Sequence, residues 1–192
     1  MSLIETLAVV LALLYLVLVI KQNVWCWAAA IASTSIYVYV FLSAGLYMES
    51  VLQVFYIAMA FYGWWQWRTG SDGQTLAITR WGVKQHALAI AGILVLTVVS
   101  GELLNRNTSA ALPFVDSLTT WGSIVATYMV TRKVFENWHY WFVIDSVSIY
   151  LYLDRGLKQT AMLFAVYLVL IVIGYRAWAR ELHGLDLPES QG

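Results

Sequence analysis

The chain has 192 residues, of which 61% are hydrophobic and 11% are charged, and its formal net charge is zero. Soluble domains carry about 25% charged residues, so this composition argues against a soluble domain and indicates a membrane protein. The zero net charge gives no sign of a nucleic-acid partner, and the single cysteine excludes an intrachain disulfide.

Short polar breaks divide the chain into seven apolar segments, each close to the roughly 20 residues that an α-helix needs to cross a bilayer. No Lys or Arg precedes the first segment and no small-residue cleavage site follows it, which favours a retained helix over a signal peptide. We expect an all-α integral membrane protein with seven transmembrane helices. In chain order they are predicted at 3–20, 24–44, 49–67, 86–104, 113–131, 137–153 and 159–178.

Lys and Arg are unevenly divided between the two sets of predicted loops. Eight lie on the side of the C-terminus and three on the side of the N-terminus. Because cytoplasmic loops are enriched in Lys and Arg, this distribution predicts an external N-terminus and a cytoplasmic C-terminus.

The sequence contains an internal repeat at an offset of 111 residues. Without a gap, this offset aligns ten identical residues over 41 positions. The identical pairs are Trp27/Trp138, Ser35/Ser146, Tyr39/Tyr150, Leu42/Leu153, Gly45/Gly156, Leu46/Leu157, Leu52/Leu163, Tyr56/Tyr167, Gly63/Gly174 and Trp67/Trp178. Matches of Gly, Tyr and Trp together are unexpected by chance, so the pattern indicates a duplicated three-helix unit.

The repeat predicts the domain organisation. A first three-helix repeat occupies 1–67, a linker helix 86–104, a second three-helix repeat 113–178, and a cytoplasmic tail 179–192. The linker helix inverts the chain, so the two repeats are parallel in a 3+1+3 plan. In transporters built from repeats, the binding site lies between the halves near the midplane. The alternative is a duplicated scaffold with no transport pathway.

The sixth predicted helix carries an acid within its apolar run. At 3.6 residues per turn, one face collects two indoles, a carboxylate, a hydroxyl and a phenol: Trp138, Trp141, Asp145, Ser148 and Tyr152. A charged group facing hydrocarbon costs about 3 kcal/mol or more, so this face should point into the bundle. Indole faces attract cations, and the pattern therefore predicts a site for a flat, cationic, hydrogen-bonding ligand. A proton relay and a structural acid bonded to a nearby hydroxyl are the alternatives for Asp145.

Other helices offer further candidates for the same site, namely Thr34, Glu49, Gln53, Tyr56 and Trp121. Thr34 occupies the repeat position that matches Asp145. Glu49 lies at a helix start, where an acid is favoured by the helix dipole, so capping is its preferred role. Gln53 is in mid-helix, where a ligand contact and an interhelical hydrogen bond are equally good interpretations.

Five tryptophans lie near the ends of predicted helices: Trp25, Trp27, Trp65, Trp67 and Trp178. Tryptophan is enriched at both membrane–water interfaces, so we expect these five to belong to the interfacial belt.

Motifs for chemistry are missing from the sequence. It has no phosphate-binding glycine loop, no zinc-type His cluster and no Ser/His/Asp signature, so neither an enzyme, a metal site nor a cofactor is predicted. A single prominent acid within the membrane does not indicate obligatory coupling to protons or sodium.

Three segments resemble the Pnu family of bacterial vitamin transporters: "ENWHYWFVIDSVSIYLY", "RGLKQTAMLFAVYLVLIVIGYRAW" and "ALPFVDSLTTWGSIVATYMVTRKVFENW". The resemblance covers nearly the whole chain. It implies a SWEET-like 3+1+3 fold in the lipid of the bacterial cytoplasmic (inner) membrane, assembled as a homotrimer. It also implies facilitated diffusion of an unphosphorylated vitamin, which a cytoplasmic kinase then traps by phosphorylation.

The resemblance also implies a substrate and a site. The segments "ETLAVVLALLYLVLVIKQNVWCW" and "YMESVLQVFYIAMAFYGWWQW" look most like the thiamine branch, so thiamine is the predicted substrate. Nicotinamide riboside is the alternative because it is also a flat aromatic cation, and a proton-coupled vitamin symporter is the further alternative. By motif, the resemblance implicates Trp138, Trp141 and Asp145, followed by Gln53, Tyr56, Trp121 and Ser148.

Overall fold

The computed structural model describes residues 3–43, 47–70, 76–107, 112–154 and 158–185. Within these ranges the chain forms α-helices and no β-strand, and an isolated parallel bridge pairs Thr79 with Val134. The helices are α1 (Leu3–Ile20), α2 (Cys26–Ser43), α3 (Tyr47–Thr69), α4 (Val83–Asn107), α5 (Pro113–Thr131), α6 (Asn137–Asp154) and α7 (Lys158–Leu185). The predicted all-α class with seven helices is confirmed.

The largest differences from the predicted helices lie at α4 and α7. The fourth helix is longer at both ends than 86–104, and α7 continues to Leu185 rather than ending at Trp178. The first part of the predicted tail, 179–192, is therefore helical. The apolar run ends near Trp178, but the residues that follow it include Ala, Arg, Glu and Leu, which are strong helix formers.

Apolar side chains cover much of the outer surface of two helices. The stretches Val83–Asn107 and Ala161–Gly184 are long and apolar enough to cross a membrane, yet only 11% and 22% of their most apolar windows are buried inside the protein. Leu88 and Met162 are 75% and 74% exposed. In water such surfaces would be costly, whereas lipid covers them without cost, so these helices have the character of membrane helices.

The described structure divides into two compact units. The first comprises Met1–Ile78, Thr131–Lys133 and Ile173–Gly192, and the second comprises Thr79–Val130 and Val134–Val172. The α5–α6 connection therefore contributes its first residues to one unit and its next residues to the other.

In the first unit, α2 packs against both α1 and α3. The hydroxyl of Ser33 in α2 donates a hydrogen bond to the carbonyl oxygen of Ala8 in α1 at 2.8 Å. Helix α2 also packs closely against α3. A Cβ added to Gly63 of α3 would lie only 2.4 Å from Cζ2 of Trp27 in α2. The absence of a side chain at Gly63 is what allows the indole to lie against the α3 backbone.

Three tryptophans assigned to the interfacial belt lie instead in the core of the first unit. Trp27, Trp67 and Trp178 are 1%, 4% and 0% exposed, so the belt prediction is wrong for them. The rings of Trp27 and Trp67 meet edge to face at 5.4 Å, and Nε1 of Trp178 donates to a backbone carbonyl at the end of α1. Trp25 and Trp65, at 62% and 58% exposed, have the exposure expected of belt residues.

Lys133 is a buried cation of the first unit. Its Nζ donates to Oε1 of Gln22 at 2.9 Å and lies 4.7 Å from the centroid of the Trp67 ring. Gln22 in turn donates to the carboxylate of Glu181 near the end of α7. Burial lowers the pKa of the Lys133 ammonium, and the Glu181 carboxylate opposes this effect. This loop cation is therefore held in place by packing rather than exposed to water.

The α1–α2 and α5–α6 connections have the same backbone geometry, displaced by 111 residues. Gln22 and Lys133 both adopt left-handed conformations, with φ of 51° and 47°. In each connection the next residue, Asn23 or Val134, donates its N–H to the carbonyl five residues earlier at 2.9 Å. This bond is part of the Schellman ending, in which glycine usually occupies the left-handed position.

In the second unit, close contacts join α4 to α5 and α5 to α6. A Cβ added to Gly101 of α4 would lie 2.5 Å from Cδ1 of Phe114 in α5. A Cβ on Gly122 of α5 would lie 3.1 Å from Cγ1 of Ile144 in α6. Ile144 directly precedes Asp145, so this approach fixes the level at which the acid sits beside α5.

We expect Gly63→Ala to destabilise the protein, because the new methyl group meets the Trp27 indole. Overpacking of this kind typically costs about 1–3 kcal/mol. Gly92→Ala is the matched control, because Gly92 is also inside a helix and its added Cβ meets nothing within 4 Å. Thermal unfolding midpoints of both variants in one detergent test this. Midpoints that fall equally, or a lower midpoint for the Gly92 variant, would contradict the assigned packing.

Candidate functional site

The predicted stripe of α6 lies on one uninterrupted helix, Asn137–Asp154. Trp138, Asp145 and Ser148 are 1%, 4% and 5% exposed, and Trp141 is half-buried. The residues on the other side of the helix are apolar or aromatic and exposed, namely Phe142, Val143, Tyr150 and Leu153. The helix thus turns its carboxylate toward the protein and an apolar surface toward lipid.

The Asp145 carboxylate is buried without a polar partner among the described residues. Among the described residues, none donates a hydrogen bond to it and none forms an ion pair with it. A structural acid bonded to a neighbouring hydroxyl, one of the alternatives for Asp145, therefore finds no such hydroxyl in the described part of the chain. Buried carboxylates are normally paired or hydrogen-bonded, so this one is available to an external donor or cation.

Trp121 of α5 has a partner that the sequence pattern did not indicate. Its Nε1 donates to Oγ of Ser100 in α4 at 3.1 Å, and the ring is half-buried. Helix α4 therefore orients this indole. Ser100 was missed because its only sequence signal is a hydroxyl in an apolar helix, which usually bonds to its own backbone, as Ser100 also does.

Four candidates, Thr34, Glu49, Gln53 and Tyr56, lie in the first unit, whereas the candidates of α5 and α6 lie in the second. Gln53 and Tyr56 are half-buried. The hydroxyl of Thr34 donates to the carbonyl oxygen of Ala30 in its own helix at 2.7 Å, which leaves the oxygen free only as an acceptor.

Two candidates are described by their backbone alone. Glu49 lies in α3 and Tyr152 in α6, and their side chains are outside the described residues. In the described part of the chain, no three His, Cys, Asp or Glu side chains are grouped to hold a metal ion.

The sequence of this chain is similar to those of known transporters. Residues 2–180 match the family described as nicotinamide mononucleotide transporter. The nicotinamide riboside transporter PnuC of Escherichia coli (strain K12) is 27% identical, with 73% of this chain and 71% of that protein covered. The riboflavin/roseoflavin transporter RibM of Streptomyces davaonensis is 29% identical, with 66% of this chain and 61% of that protein covered.

A solved structure shares the fold. The crystal structure of the vitamin B3 transporter PnuC matches with a TM-score of 0.75 at 28% identity, covering 93% of this chain and 81% of that chain. The predicted Pnu family resemblance is confirmed, and with it the membrane location. The relatives named above are transporters for nicotinamide riboside or riboflavin, so the thiamine branch is not the one that these similarities favour.

We expect Asp145→Asn to weaken the binding of a cationic aromatic vitamin, because it removes the charge and keeps the shape. A hydrogen bond to a charged group contributes about 1.5–3 kcal/mol, so the loss should be about tenfold or more in Kd. Isothermal titration calorimetry on the purified protein measures it.

Ser146→Ala is the matched control for that variant. Ser146 is the next residue along α6, and its hydroxyl donates to the Phe142 carbonyl of the same helix at 2.7 Å. Equal affinities of the Asp145 variant and the wild type would show that the carboxylate does not contribute to binding.

Proposed function

Since the chain belongs to the nicotinamide mononucleotide transporter family, we propose that it carries an unphosphorylated vitamin with a flat aromatic cation, nicotinamide riboside being the first candidate. The observation that carries this proposal is Asp145, a buried carboxylate without a partner among the described residues. It lies one helical turn beyond Trp141, on the face that both tryptophans of α6 share.

The charge of Asp145 discriminates between the ligands that the relatives' names suggest. Nicotinamide riboside brings a pyridinium cation, which neutralises the carboxylate and lies favourably on an indole face at a gain of about 2 kcal/mol when desolvated. A mononucleotide adds a phosphate, whose negative charge is repelled by a carboxylate in a low-dielectric site. Riboflavin is neutral and offers no cation. The site chemistry therefore supports the riboside over both other ligands.

Thiamine is the second candidate, and the same carboxylate favours it. Its thiazolium ring is a flat cation, and its aminopyrimidine carries an exocyclic amine that can donate to an acid. The first and third helices also contain the segments that resemble the thiamine branch. Nicotinamide riboside ranks first because PnuC of Escherichia coli matches 73% of this chain and the PnuC crystal structure covers 93% of it.

The proposed mechanism is alternating access by two parallel three-helix repeats joined by α4, as in SWEET proteins. Three pairs of observations at the 111-residue offset support the repeat: the matching Schellman endings, the buried Trp27 and Trp138, and the buried Trp67 and Trp178. The halves would rock about a central site, with the N-terminus outside and the C-terminus in the cytoplasm. Transport would be facilitated diffusion, followed by phosphorylation in the cytoplasm, in a protein assembled as a homotrimer.

We expect calorimetric titration of the purified protein to show micromolar or tighter binding of nicotinamide riboside. Nicotinamide mononucleotide and riboflavin should bind at least about tenfold more weakly, because one adds an anion and the other lacks a cation. Thiamine is titrated in the same series. Tighter binding of thiamine than of the riboside would transfer the substrate assignment to thiamine, and binding of none of the four would contradict the transport proposal.

Uptake into liposomes distinguishes a passive carrier from a proton-coupled symporter. For facilitated diffusion we expect the initial rate of labelled nicotinamide riboside uptake to be the same with and without an imposed pH gradient, acid outside. Empty liposomes supply the background. A rate that rises with the gradient would support the symporter and the proton-relay interpretation of Asp145.

A further inference from the structure

The start of α6 is docked onto a short segment of the α3–α4 connection, residues 79–81. Thr79 and Val134 form an isolated parallel bridge, and the N–H of Phe135 donates to the carbonyl oxygen of Thr79 at 2.8 Å. Phe135 is 3% exposed. Segment 79–81 and residues 134–136 therefore run side by side, immediately before the helix that carries the candidate site.

The side chain of Glu136 completes this docking with both carboxylate oxygens. Oε1 accepts a hydrogen bond from Nε of Arg80, and Oε2 accepts one from the backbone N–H of Trp81, each at 3.1 Å. The Arg80 guanidinium carbon also lies 5.4 Å from the centroid of the Phe135 ring. One side chain thus joins residues 79–81 to the beginning of α6.

The backbone of Glu136 forms the first turn of the helix. Its carbonyl oxygen accepts from the N–H groups of His139 at 3.0 Å and Tyr140 at 3.5 Å. Both carboxylate oxygens accept from residues 80 and 81, so the side chain links α6 to that segment. Because the aromatic pair Trp138 and Trp141 follows at once, any shift of this turn moves both rings.

A second contact holds the same turn. Nδ1 of His86, near the start of α4, lies 3.0 Å from the hydroxyl oxygen of Tyr140, and the two rings stack with centroids 5.8 Å apart. The His86 ring also lies 5.7 Å from the ring of Trp81. Segment 79–81 and the first turn of α6 are therefore linked on two sides.

We propose that Glu136 is a positioning residue for substrate binding, which orients Trp138 and Trp141 by tying the first turn of α6 to residues 79–81. This inference rests on the proposed function, in which the aromatic pair contacts the vitamin. At the matching place of the first half stands Trp25, which is 62% exposed and cannot make such a link. Among the described residues, the link made by Glu136 at the start of α6 thus has no counterpart at Trp25.

The two hydrogen bonds of Glu136 differ in what they contribute. The Arg80 side chain is 67% exposed and that of Glu136 is 13% exposed, and an ion pair with one solvated partner adds little. Both bonds are charge-assisted, but the bond to the Trp81 N–H is part-buried, so water screens it less than the exposed bond to Arg80. The positioning effect should therefore depend on an acceptor at residue 136 more than on Arg80.

The test measures the Kd for nicotinamide riboside and for thiamine, together with the unfolding midpoint, in four variants of the full chain. Glu136→Ala should weaken binding about tenfold, because two indoles must then be ordered by the ligand. Glu136→Gln keeps an acceptor for the Trp81 N–H and should stay within about threefold of the wild type, and Arg80→Ala within about twofold. Gly63→Ala, which places a methyl group against Trp27 in the first unit, should lower the midpoint and leave the Kd unchanged.

Each result bears on one proposal. A wild type that binds neither vitamin defeats the proposed function. If the wild type binds and a folded Glu136→Ala variant has equal affinity, the positioning role alone is overturned. An affinity loss in Gly63→Ala as large as that in Glu136→Ala would also overturn it. If Glu136→Ala does not fold, Glu136→Asp replaces it, because its shorter side chain cannot reach Arg80 and Trp81 together. Its Kd should then rise above that of Glu136→Gln, and equal values would overturn the role.

Discussion

Lipid offers no hydrogen-bond partner, and this constraint decides where the polar side chains of these helices point. The hydroxyls of Thr34 and Ser146 bond to carbonyls of their own helices, and that of Ser33 bonds to a carbonyl of α1. A carboxylate has no proton to donate in this way. Asp145 therefore turns inward, where it has no partner among the described residues; in the proposed function a ligand supplies one.

The close packing of the helices depends on the same constraint, because lipid provides no hydrophobic force that pushes helices together. Van der Waals contact has to supply that stabilisation, and glycine provides it by letting a ring lie against a backbone. Gly63 receives Trp27, and Gly101 receives Phe114. Trp27, Trp67 and Trp178 are core residues of the first unit, although each lies near an end of its apolar segment in the sequence.

The two proposed repeats differ in charge at several matching positions. These positions include the candidate site, the α5–α6 connection and the residue before α6. At three positions of the 111-residue alignment a neutral residue in the first repeat corresponds to a charged one in the second: Thr34 and Asp145, Gln22 and Lys133, and Trp25 and Glu136. Because Thr34 stands where Asp145 stands in the second repeat, the proposed site would have a single acid at this position and would be asymmetric. A single organic cation needs such a site, since two equal carboxylates would require two counter-charges.

Hydropathy and spacing in the sequence determined the number of helices, the inward face of α6 and the place of its acid, because these follow from local periodicity and from the cost of a charge in lipid. Contacts distant along the chain depended on the tertiary structure. The burial of Trp27, Trp67 and Trp178 was mispredicted, because a position near a helix end does not say which neighbour covers the ring. The link from Glu136 to residues 79–81 joins positions more than fifty residues apart, and it has no periodic signal. Folding alone brought those groups together.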